Sequence, residues 1–344
     1  MHIWMRAETR PNERRTALLP DGAAQLLAQG HQVTVEDNKT RVVPASEYMA
    51  VGCRIAPEGS WRDAPPEAII LGLKELSEDG TPLRHRHIMF GHAFKGQPAG
   101  QVLLDRFRDG GGTLLDLEYL VDETGRRVAA FGYWAGYAGA ALTLRALAGH
   151  TGPVDVYASA QAMAQDVRDA LGSASPSALI IGALGRVGTG AAALCDAVGV
   201  TVTKWDMPET THGGPFPEVL THEVFLNCIL AAPGVPVFVP RDAGHRDRAL
   251  RVIGDIACDP DSDFNPVPVY DRVTTWAAPT LRVHDDPPLD VMAIDNLPSL
   301  LPRESSEDFA AQLLPHLLTL NRPDSGVWGR AAAEFDKHVR EVRP

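Results

Sequence analysis

Short apolar runs alternate with amphipathic stretches along the first third of the chain. The apolar runs are HIWM, QVTVE, AIILGL, HIMFGH and GTLLDLEYL, and amphipathic stretches between the early runs are DGAAQLLAQG and PASEYMAVG. This alternation is typical of buried parallel strands joined by covering helices. Gly30 and Gly52 follow the two amphipathic stretches, at positions where helices often end. The first part of the chain is therefore predicted to form a parallel sheet covered by helices.

The pattern changes at residue 131 and then starts again. Residues 131–150, FGYWAGYAGAALTLRALAGH, are rich in small side chains and contain no proline, which predicts a helix that another backbone can approach closely. A second helix is predicted from Ser159 to Leu171, and a new strand begins at SALII. Further strands are predicted at VTVTKWD, VFLNCILA (224–231), PVFV (236–239), RVIGDIAC (251–258) and DVMAI (290–294). These runs indicate a second sheet.

Beyond Pro302 the pattern becomes helical, in FAAQLLPHLLTL and VWGRAAAEFDKHVREV. A chain of 344 residues is long for one core and suits two domains of roughly 150 residues each. We predict that the closing helices pack on the first sheet. The expected fold is α/β, with two Rossmann-like domains of parallel strands flanked by helices and a cleft between the domains. The expected domains are 1–130 plus 307–344, for substrate and catalysis, and 131–306, for the cofactor.

Charge and composition disfavour several classes of partner. The net charge of −12 argues against nucleic acid, because binding phosphates requires a basic face. No apolar run reaches the roughly 18 residues of a membrane helix, and the charged N-terminal stretch lacks a signal-peptide core. The four cysteines show neither metal-ligand spacing nor a disulfide framework. A cytoplasmic protein that binds no metal is expected, and we expect a monomer.

The segment LIIGALGRVG carries the strongest local signal. It predicts a buried strand that turns through Gly182, Gly185 and Gly188 into a helix. Glycines allow a tight turn, and the helix N-terminus offers N–H groups to a dinucleotide pyrophosphate. The next strand ends in Asp206, whose carboxylate can accept hydrogen bonds from the adenine ribose and would repel a 2′-phosphate. NAD is therefore the expected cofactor. Lys204 keeps NADP open, and a turn that binds nothing is the alternative.

Ionisable side chains follow two predicted strands of the first sheet. Lys74 and Glu75 come after AIILGL, and His92 and Lys95 come after HIMFG. Sites in open α/β sheets form at the carboxyl ends of strands. Each of these residues alone is more often a solvated strand end or a structural side chain, but their joint occurrence indicates a catalytic site. His87 begins its strand and is predicted to be structural.

The sequence resembles a known family, the lysine-forming saccharopine dehydrogenases, which share a fold with alanine dehydrogenase and the nicotinamide nucleotide transhydrogenases. The similar stretches run in the family's order from near residue 6 to near residue 335. They are RAETRPNERRTALLP, VEDN, GSWRDAPPEAIILGLKEL, HIMFGHAFKGQ, GTLLDLEYL, GRRVAAFGYWAGYAGAAL, LIIGALGRVG, KWDMPETTHGGPF and AIDNLPSLLPRESS. Similarity over nearly the whole chain is more specific than any single motif.

The resemblance implies a reversible reaction in which saccharopine, NAD and water give lysine, 2-oxoglutarate and NADH. It implies that Lys74 and His92 act as the acid–base pair. It also implies that Glu75 and Glu118 tune that pair. Oxidation of a secondary amine requires a neutral nitrogen, so a base must first remove a proton from the bound ammonium, and a histidine can then exchange protons as water adds to the imine.

The three carboxylates of saccharopine require several cations. The resemblance implies that Arg15 and Arg127 hold substrate carboxylates. We expect Arg10 and Lys95 as further cations, because one cation can bind only part of such a ligand. Arg10 stands where the family has a lysine, which changes a point charge into a planar fork. The cofactor-binding residues, expected from the glycine loop and the resemblance together, are Gly182, Gly185, Arg186, Val187, Gly188, Asp206 and Asp295.

Two other functions stay open at the level of the sequence. An opine-type dehydrogenase would join a different amine and 2-oxo acid, and Arg10 permits such a change of substrate. A catalytically silent, NAD-binding regulatory protein would retain the fold without turnover. The presence of Lys74 and His92 argues against the silent protein.

Overall fold

The computed structural model describes residues 1–96, 98–322 and 325–341. The chain divides into two compact units, Met1–Ala130 with Ser305–Pro344 (unit 1) and Phe131–Glu304 (unit 2). The first boundary lies where the sequence places it, and the second lies two residues earlier, at 304/305. Parts of the predicted first domain, namely Gln97, residues 323–324 and residues 342–344, lie outside the described residues.

Unit 1 contains a six-stranded sheet in the order β3-β2-β1-β4-β5-β6, with every neighbouring pair parallel. All six strands therefore end at the same edge. The strands are β1 (His2–Met5), β2 (Gln32–Glu36), β3 (Arg54–Ala56), β4 (Ile69–Leu71), β5 (Arg86–Met89) and β6 (Thr113–Asp116). The helices are α1 (Pro20–Ala28), α2 (Ala45–Ala50), α3 (Pro98–Gly110), α9 (Pro302–Leu317) and α10 (Gly326–Glu341).

The core of unit 1 forms because the helices turn apolar side chains towards the buried strands. Leu103 and Phe107 of α3 pack with Ile70 of β4, and Phe335 of α10 joins the same cluster. The closing helix α10 also packs against β6. The prediction that a closing helix covers the first sheet is therefore confirmed for α10.

His87 lies in the middle of this core as a structural histidine. Its ring packs edge-on against Trp61 at 5.1 Å and Phe107 at 5.4 Å. Neither ring nitrogen has a hydrogen-bond partner among the described residues. Burial, and then the charge of Arg6, lowers the pKa of His87 well below its ordinary value, so the ring is neutral in the folded protein.

Replacing His87 with leucine is expected to stabilise the protein, because an unpaired polar group is removed from the core. The gain is expected to be about 1–3 kcal/mol at pH 8. A histidine with a lowered folded pKa takes up protons only on unfolding, so stability falls as the pH drops below the unfolded value near 6.5. The advantage of His87→Leu should therefore grow between pH 7 and 5.5. Urea denaturation at pH 7 and pH 5.5 measures the free energy of unfolding of both proteins. The variant His150→Gln, which changes an exposed histidine, should differ from the parent equally at the two pH values.

Unit 2 contains a second six-stranded sheet in the order β11-β12-β10-β9-β7-β8, parallel except for the antiparallel pair β11–β12. The fold class is thereby confirmed. The strands are β7 (Ser177–Ile181), β8 (Thr201–Trp205), β9 (Val224–Asn227), β10 (Val252–Asp255), β11 (Leu281–His284) and β12 (Leu289–Met292). The helices are α4 (Gly132–Leu147), α5 (Ala160–Leu171), α6 (Arg186–Ala197), α7 (Met207–Thr210) and α8 (Pro217–Leu220).

Two features of unit 2 differ from the sequence prediction. The run PVFV (236–239) is not a strand, although Phe238 and Val239 are buried. Pro236 begins this run and Pro240 follows it, and neither has the N–H group that a ladder needs. Phe238 donates instead to the Pro266 carbonyl at 2.8 Å. The edge strand β11 was not predicted, because its side chains are only partly buried and give no continuous apolar run.

The small residues of α4 allow close packing on α6, as predicted. A Cβ atom added at Gly136 would lie 1.8 Å from the Val187 carbonyl oxygen. A Cβ atom at Gly190 of α6 would lie 1.8 Å from the Tyr133 carbonyl oxygen. Backbone therefore meets backbone at both positions, and only glycine fits.

Candidate active site

The turn after β4 presents Lys74 and is fixed by two buried charges. Arg6, which is buried, donates to the carbonyl oxygens of Ala7 and Lys74. The Glu8 carboxylate accepts the N–H groups of Leu73 at 2.7 Å and Lys74 at 3.0 Å. Both main-chain faces of this turn are thus held, so the start of the Lys74 side chain has a defined position.

The charge of Lys74 also influences a buried ion pair between Arg15 and Glu13. Arg15 donates to both oxygens of Glu13, at 2.8 and 2.6 Å, and its side chain is only 3% exposed. Burial pushes the pKa of Glu13 upwards, but the charge and hydrogen bonds of Arg15 and the charge of Lys74 outweigh it, so this pKa lies below its ordinary value. Glu13 is therefore an anion close to Lys74.

The turn after β5 presents His92. The His92 backbone is in the left-handed region, with φ of 48°, which is uncommon for a residue with a side chain. Its ring stacks on Phe90, with centroids 6.4 Å apart and planes 18° apart. Gly91 precedes it, and a Cβ atom there would lie 2.6 Å from Cδ2 of Leu114. The side chain is half exposed.

Glu118 connects the cations of this edge. Its carboxylate accepts from Lys95 at 2.8 Å and Arg127 at 3.3 Å, and lies 3.8 Å from Nδ1 of His92. Burial opposes ionisation of Glu118, but the hydrogen bond from Lys95 and the charges of Lys95, Arg127 and His92 lower its pKa below the ordinary value. One carboxylate thus gathers three cationic or ionisable side chains that the sequence had singled out.

The Lys74 turn and the His92 turn are neighbours. Strands β4 and β5 pair in parallel, and Phe90 donates its N–H to the Leu73 carbonyl at 2.9 Å. The structure therefore brings Lys74 and His92 to adjacent strand ends, whereas Arg127 and Lys95 reach His92 through Glu118. Arg10 joins them through a 3.5 Å ion pair with Glu75.

Two cavities of unit 1 adjoin these residues. The smaller, of about 270 Å³, lies beside His92 and Glu75. Its other walls are formed by Leu76, Glu78, Gly91, Ala99, Gly100, Val102, Leu103 and Arg106. The larger, of about 760 Å³, is lined by Arg10 and Glu13 and by other residues of segments 8–14, 37–40 and 57–58. Charged side chains thus line both cavities.

Several residues of this cluster were not predicted from the sequence. Glu13 and Glu8 lie within RAETRPNERR, and Asp116 ends β6 in LLDLE. Both segments were predicted to contribute to the site, but each contains two acidic residues. Which of them turn inwards depends on packing that the sequence pattern does not show.

The glycine loop of unit 2 has the form that a dinucleotide requires. Gly182 has φ of 85°, and a Cβ atom there would lie 2.5 Å from Cδ1 of Ile229. A Cβ atom at Gly188 would lie 2.1 Å from the Gly182 carbonyl oxygen, so this glycine closes the turn against the helix. Arg186 and Val187 form the start of α6, where backbone N–H groups point out of the helix end. These residues fit a pyrophosphate at the helix N-terminus.

Gly185 differs from the other two glycines of the loop. A Cβ atom there meets only the Gly182 carbonyl oxygen, at an ordinary 3.5 Å, and its φ of −74° suits any residue. Gly185→Ala is therefore expected to fold normally but to weaken NADH binding by about 10-fold or more, because the methyl group enters the space of the pyrophosphate. Fluorescence titration with NADH measures this loss. Equal affinity in the two proteins would remove Gly185 from the cofactor site.

Asp206 and Asp295 lie at different strand ends of unit 2. Asp206 follows β8, and its Oδ2 atom accepts the N–H of Leu184 in the glycine loop at 2.9 Å. Asp295 follows β12 and is exposed. Burial, and then the charges of Asp255 and Asp295, raises the pKa of the Cys258 thiol to about 12. Asp206 is thus coupled to the glycine loop, whereas Asp295 lies near Cys258.

The described residues contain neither a candidate metal cluster nor a helix that could span a membrane. Within the described ranges, no group of three or more His, Cys, Asp or Glu side chains could hold a metal ion. The four cysteines are free thiols. Among the helices of the described residues, none is long and apolar enough to cross a membrane.

Comparison with known proteins identifies relatives of the whole chain. The model of the alanine dehydrogenase/PNT N-terminal domain matches residues 4–138. Saccharopine dehydrogenase (NAD(+), L-lysine-forming) of Neurospora crassa is 45% identical over 357 residues, which cover 98% of this chain and 96% of the relative. The proteins of the same description from Candida albicans and Schizosaccharomyces pombe are 44% and 42% identical, and each alignment covers 99% of this chain and 97% or 99% of the relative.

Solved structures share the fold at low sequence identity. An L-alanine dehydrogenase superimposes with a TM-score of 0.68 at 16% identity, covering 97% of this chain and 94% of that one. A transhydrogenase from Sinorhizobium meliloti superimposes with a TM-score of 0.62 at 16% identity, covering 93% and 94%. At this identity the similarity concerns the fold alone.

Proposed function

We propose that this chain, which belongs to the family of NAD(+)-dependent, L-lysine-forming saccharopine dehydrogenases, converts saccharopine, NAD and water into lysine, 2-oxoglutarate and NADH. The observation that carries the proposal is the pairing of the Lys74 and His92 turns at adjacent strand ends, with Glu118 beside His92. Lysine and histidine at neighbouring positions provide the two proton-transferring groups that the reaction needs. The resemblance noted from the sequence is confirmed by the full-length relatives.

When bound, NAD would accept a hydride from the carbon that carries the secondary amine. We assign its binding to unit 2, with the pyrophosphate at the first turn of α6 and the adenine ribose at Asp206. The open face of Gly185 supports this assignment. The carboxylate of Asp206 favours NAD over NADP, because it would repel a 2′-phosphate.

Lys74 acts as the base in this proposal. Neutral Lys74 takes the proton from the secondary ammonium of saccharopine, which frees the nitrogen lone pair that drives hydride loss from the adjacent carbon. The main-chain contacts of Arg6 and Glu8 fix the turn from which its side chain reaches the substrate.

His92 handles the protons of the hydrolytic half-reaction. It takes a proton from water as the water oxygen bonds to the imine carbon, and it returns a proton to the nitrogen when the carbon–nitrogen bond of the carbinolamine breaks. The products are then an amine and a 2-oxo acid. Glu118 stabilises the protonated ring, since its carboxylate lies 3.8 Å from Nδ1.

The substrate carboxylates are proposed to bind the partly exposed cations of unit 1. Arg127, Lys95 and Arg10 have side chains between 36% and 52% exposed, so a ligand can reach them. Arg15 is buried against Glu13, and a carboxylate there would have to share its guanidinium with Glu13. Arg127, Lys95 and Arg10 are therefore the first candidates, and Arg15 is the fourth.

The proposal is tested by following NADH consumption with purified protein, lysine and 2-oxoglutarate. NADPH, ornithine and pyruvate are substituted one at a time in parallel reactions. Turnover that requires lysine, 2-oxoglutarate and NADH supports the proposed reaction. Turnover with another amine or oxo acid would make the protein an opine-type dehydrogenase, and NADH binding without any turnover would make it a silent regulatory protein. Its cytoplasmic location and monomeric state stay predictions.

A further inference from the structure

Asp116 is a buried carboxylate at the end of β6, and it contacts the main chain of two candidate catalytic segments. Its side chain is 0% exposed. Its Oδ2 atom accepts the N–H of Gly91 at 3.2 Å, and its Oδ1 atom accepts the N–H of Glu118 at 2.8 Å. The two oxygens of one side chain therefore link the turn after β5 to the segment after β6.

Both linked segments depend on a precise backbone. Gly91 directly precedes His92, whose left-handed conformation is unfavourable for a residue with a side chain and persists only where its surroundings enforce it. Glu118 in turn sets the position of the charges around the imidazole, through its contacts with Lys95, Arg127 and His92. A change at Asp116 would reach both residues through the main chain, without Asp116 itself contacting a substrate.

We propose that Asp116 is a positioning residue for the acid–base site, which holds the His92 turn and Glu118 at one fixed separation through its two carboxylate oxygens. The inference rests on the proposed function, because it assigns His92 a role in proton transfer. It adds a residue that neither the sequence pattern nor the comparisons single out.

The chemistry of the contact requires a carboxylate in its ionised form. Ionised aspartate offers two acceptor oxygens and no donor, which matches two N–H groups. An asparagine of the same shape would direct its NH₂ group at one of these N–H groups, so one hydrogen bond would be lost and two donors would face each other.

The surroundings leave Asp116 ionised at neutral pH. Burial raises its pKa to about 6, the charge of Glu118 raises it too, and the N–H groups of Glu118 and Gly91 and the charge of Arg127 oppose this rise. Helix α10 also packs against β6, and the charge of its Glu334 contributes to a raised pKa of Tyr119, three residues beyond Asp116. At pH 8 the carboxylate is therefore available to both N–H groups.

The test compares Asp116→Asn with the parent enzyme in saccharopine oxidation. We expect kcat/KM for saccharopine to fall about 10- to 100-fold, since a displacement near 1 Å costs about this much in a preorganised site. NADH affinity, measured by fluorescence, should stay unchanged. The acid-side midpoint of the pH profile of kcat/KM should move to lower pH, because Glu118 no longer holds its charge at His92. Asp105→Asn, a half-buried carboxylate on α3 that contacts Gln101 and Arg108, is the control away from the site and should behave like the parent.

The outcomes separate this inference from the proposed function. A merely structural role would lower the number of active molecules and scale the whole pH profile without moving its midpoint, which would overturn the inference. If Asp116→Asn does not fold, Asp116→Glu keeps both acceptor oxygens but is longer by one methylene group, so a midpoint that moves in the same direction supports the proposal, whereas an unmoved midpoint contradicts it. A parent enzyme that turns over no amine would defeat the proposed function, and the positioning role with it.

Discussion

Lys74→Met and His92→Gln are each expected to lower kcat for lysine, 2-oxoglutarate and NADH by about 10²- to 10⁴-fold. Methionine keeps the length and apolar stem of Lys74 but cannot accept or donate a proton. Glutamine keeps a polar group of comparable reach at position 92 but does not titrate near neutral pH. Initial rates at saturating substrates measure kcat, and NADH titration should give the parent affinity, because the glycine loop belongs to unit 2.

Matched variants show that these losses are local. Lys337→Met changes an exposed lysine of α10, and His150→Gln changes an exposed histidine after α4. Both should retain the parent kcat. Parent-like turnover in either Lys74→Met or His92→Gln would remove that residue from the chemistry, whereas the family assignment would stand on the full-length relatives.

The two losses are also expected not to multiply. Lys74 is proposed to act before hydride loss and His92 in the hydrolysis that follows, and kcat follows the slower of two successive steps. The double variant should therefore lose about as much kcat as the more impaired single variant. A loss equal to the product of the single losses would mean that the two side chains act in the same step.

Periodicity was sufficient to predict most strands of the two sheets, though not β3 or β11, because a buried parallel strand produces an unbroken apolar run. SALII became β7 and RVIGDIAC contains β10. The run PVFV satisfied the same criterion and failed, since apolar character reports burial and not hydrogen bonding. Its flanking prolines were visible in the sequence and could have ruled the strand out.

The candidate site was predictable only to the level of strand ends. Lys74, His92 and Lys95 were chosen because the carboxyl ends of parallel strands share one edge, and the structure brings them there. Asp116 could not be chosen in the same way. It forms part of the strand itself, and its function depends on two main-chain N–H groups that no side-chain pattern reveals.

Gly190→Ala is expected to destabilise unit 2 by at least about 3 kcal/mol, because the added methyl group would force two helices apart. Its Cβ atom would lie 1.8 Å from the Tyr133 carbonyl oxygen, and backbone at that position cannot rotate away as a flexible side chain could. Helix α6 begins directly at the glycine loop, so NADH binding should weaken as well. Urea denaturation and NADH titration measure the two effects.

The control is Gly152→Ala in the same unit, where a Cβ atom meets nothing within 4 Å and the backbone is not left-handed. It should leave stability within about 0.5 kcal/mol of the parent or raise it slightly, since alanine reduces the entropy of the unfolded chain. If Gly190→Ala were as stable as Gly152→Ala, helices α4 and α6 would have to separate at little cost. The contact between Gly190 and Tyr133 would then not determine where α6 begins after the glycine loop.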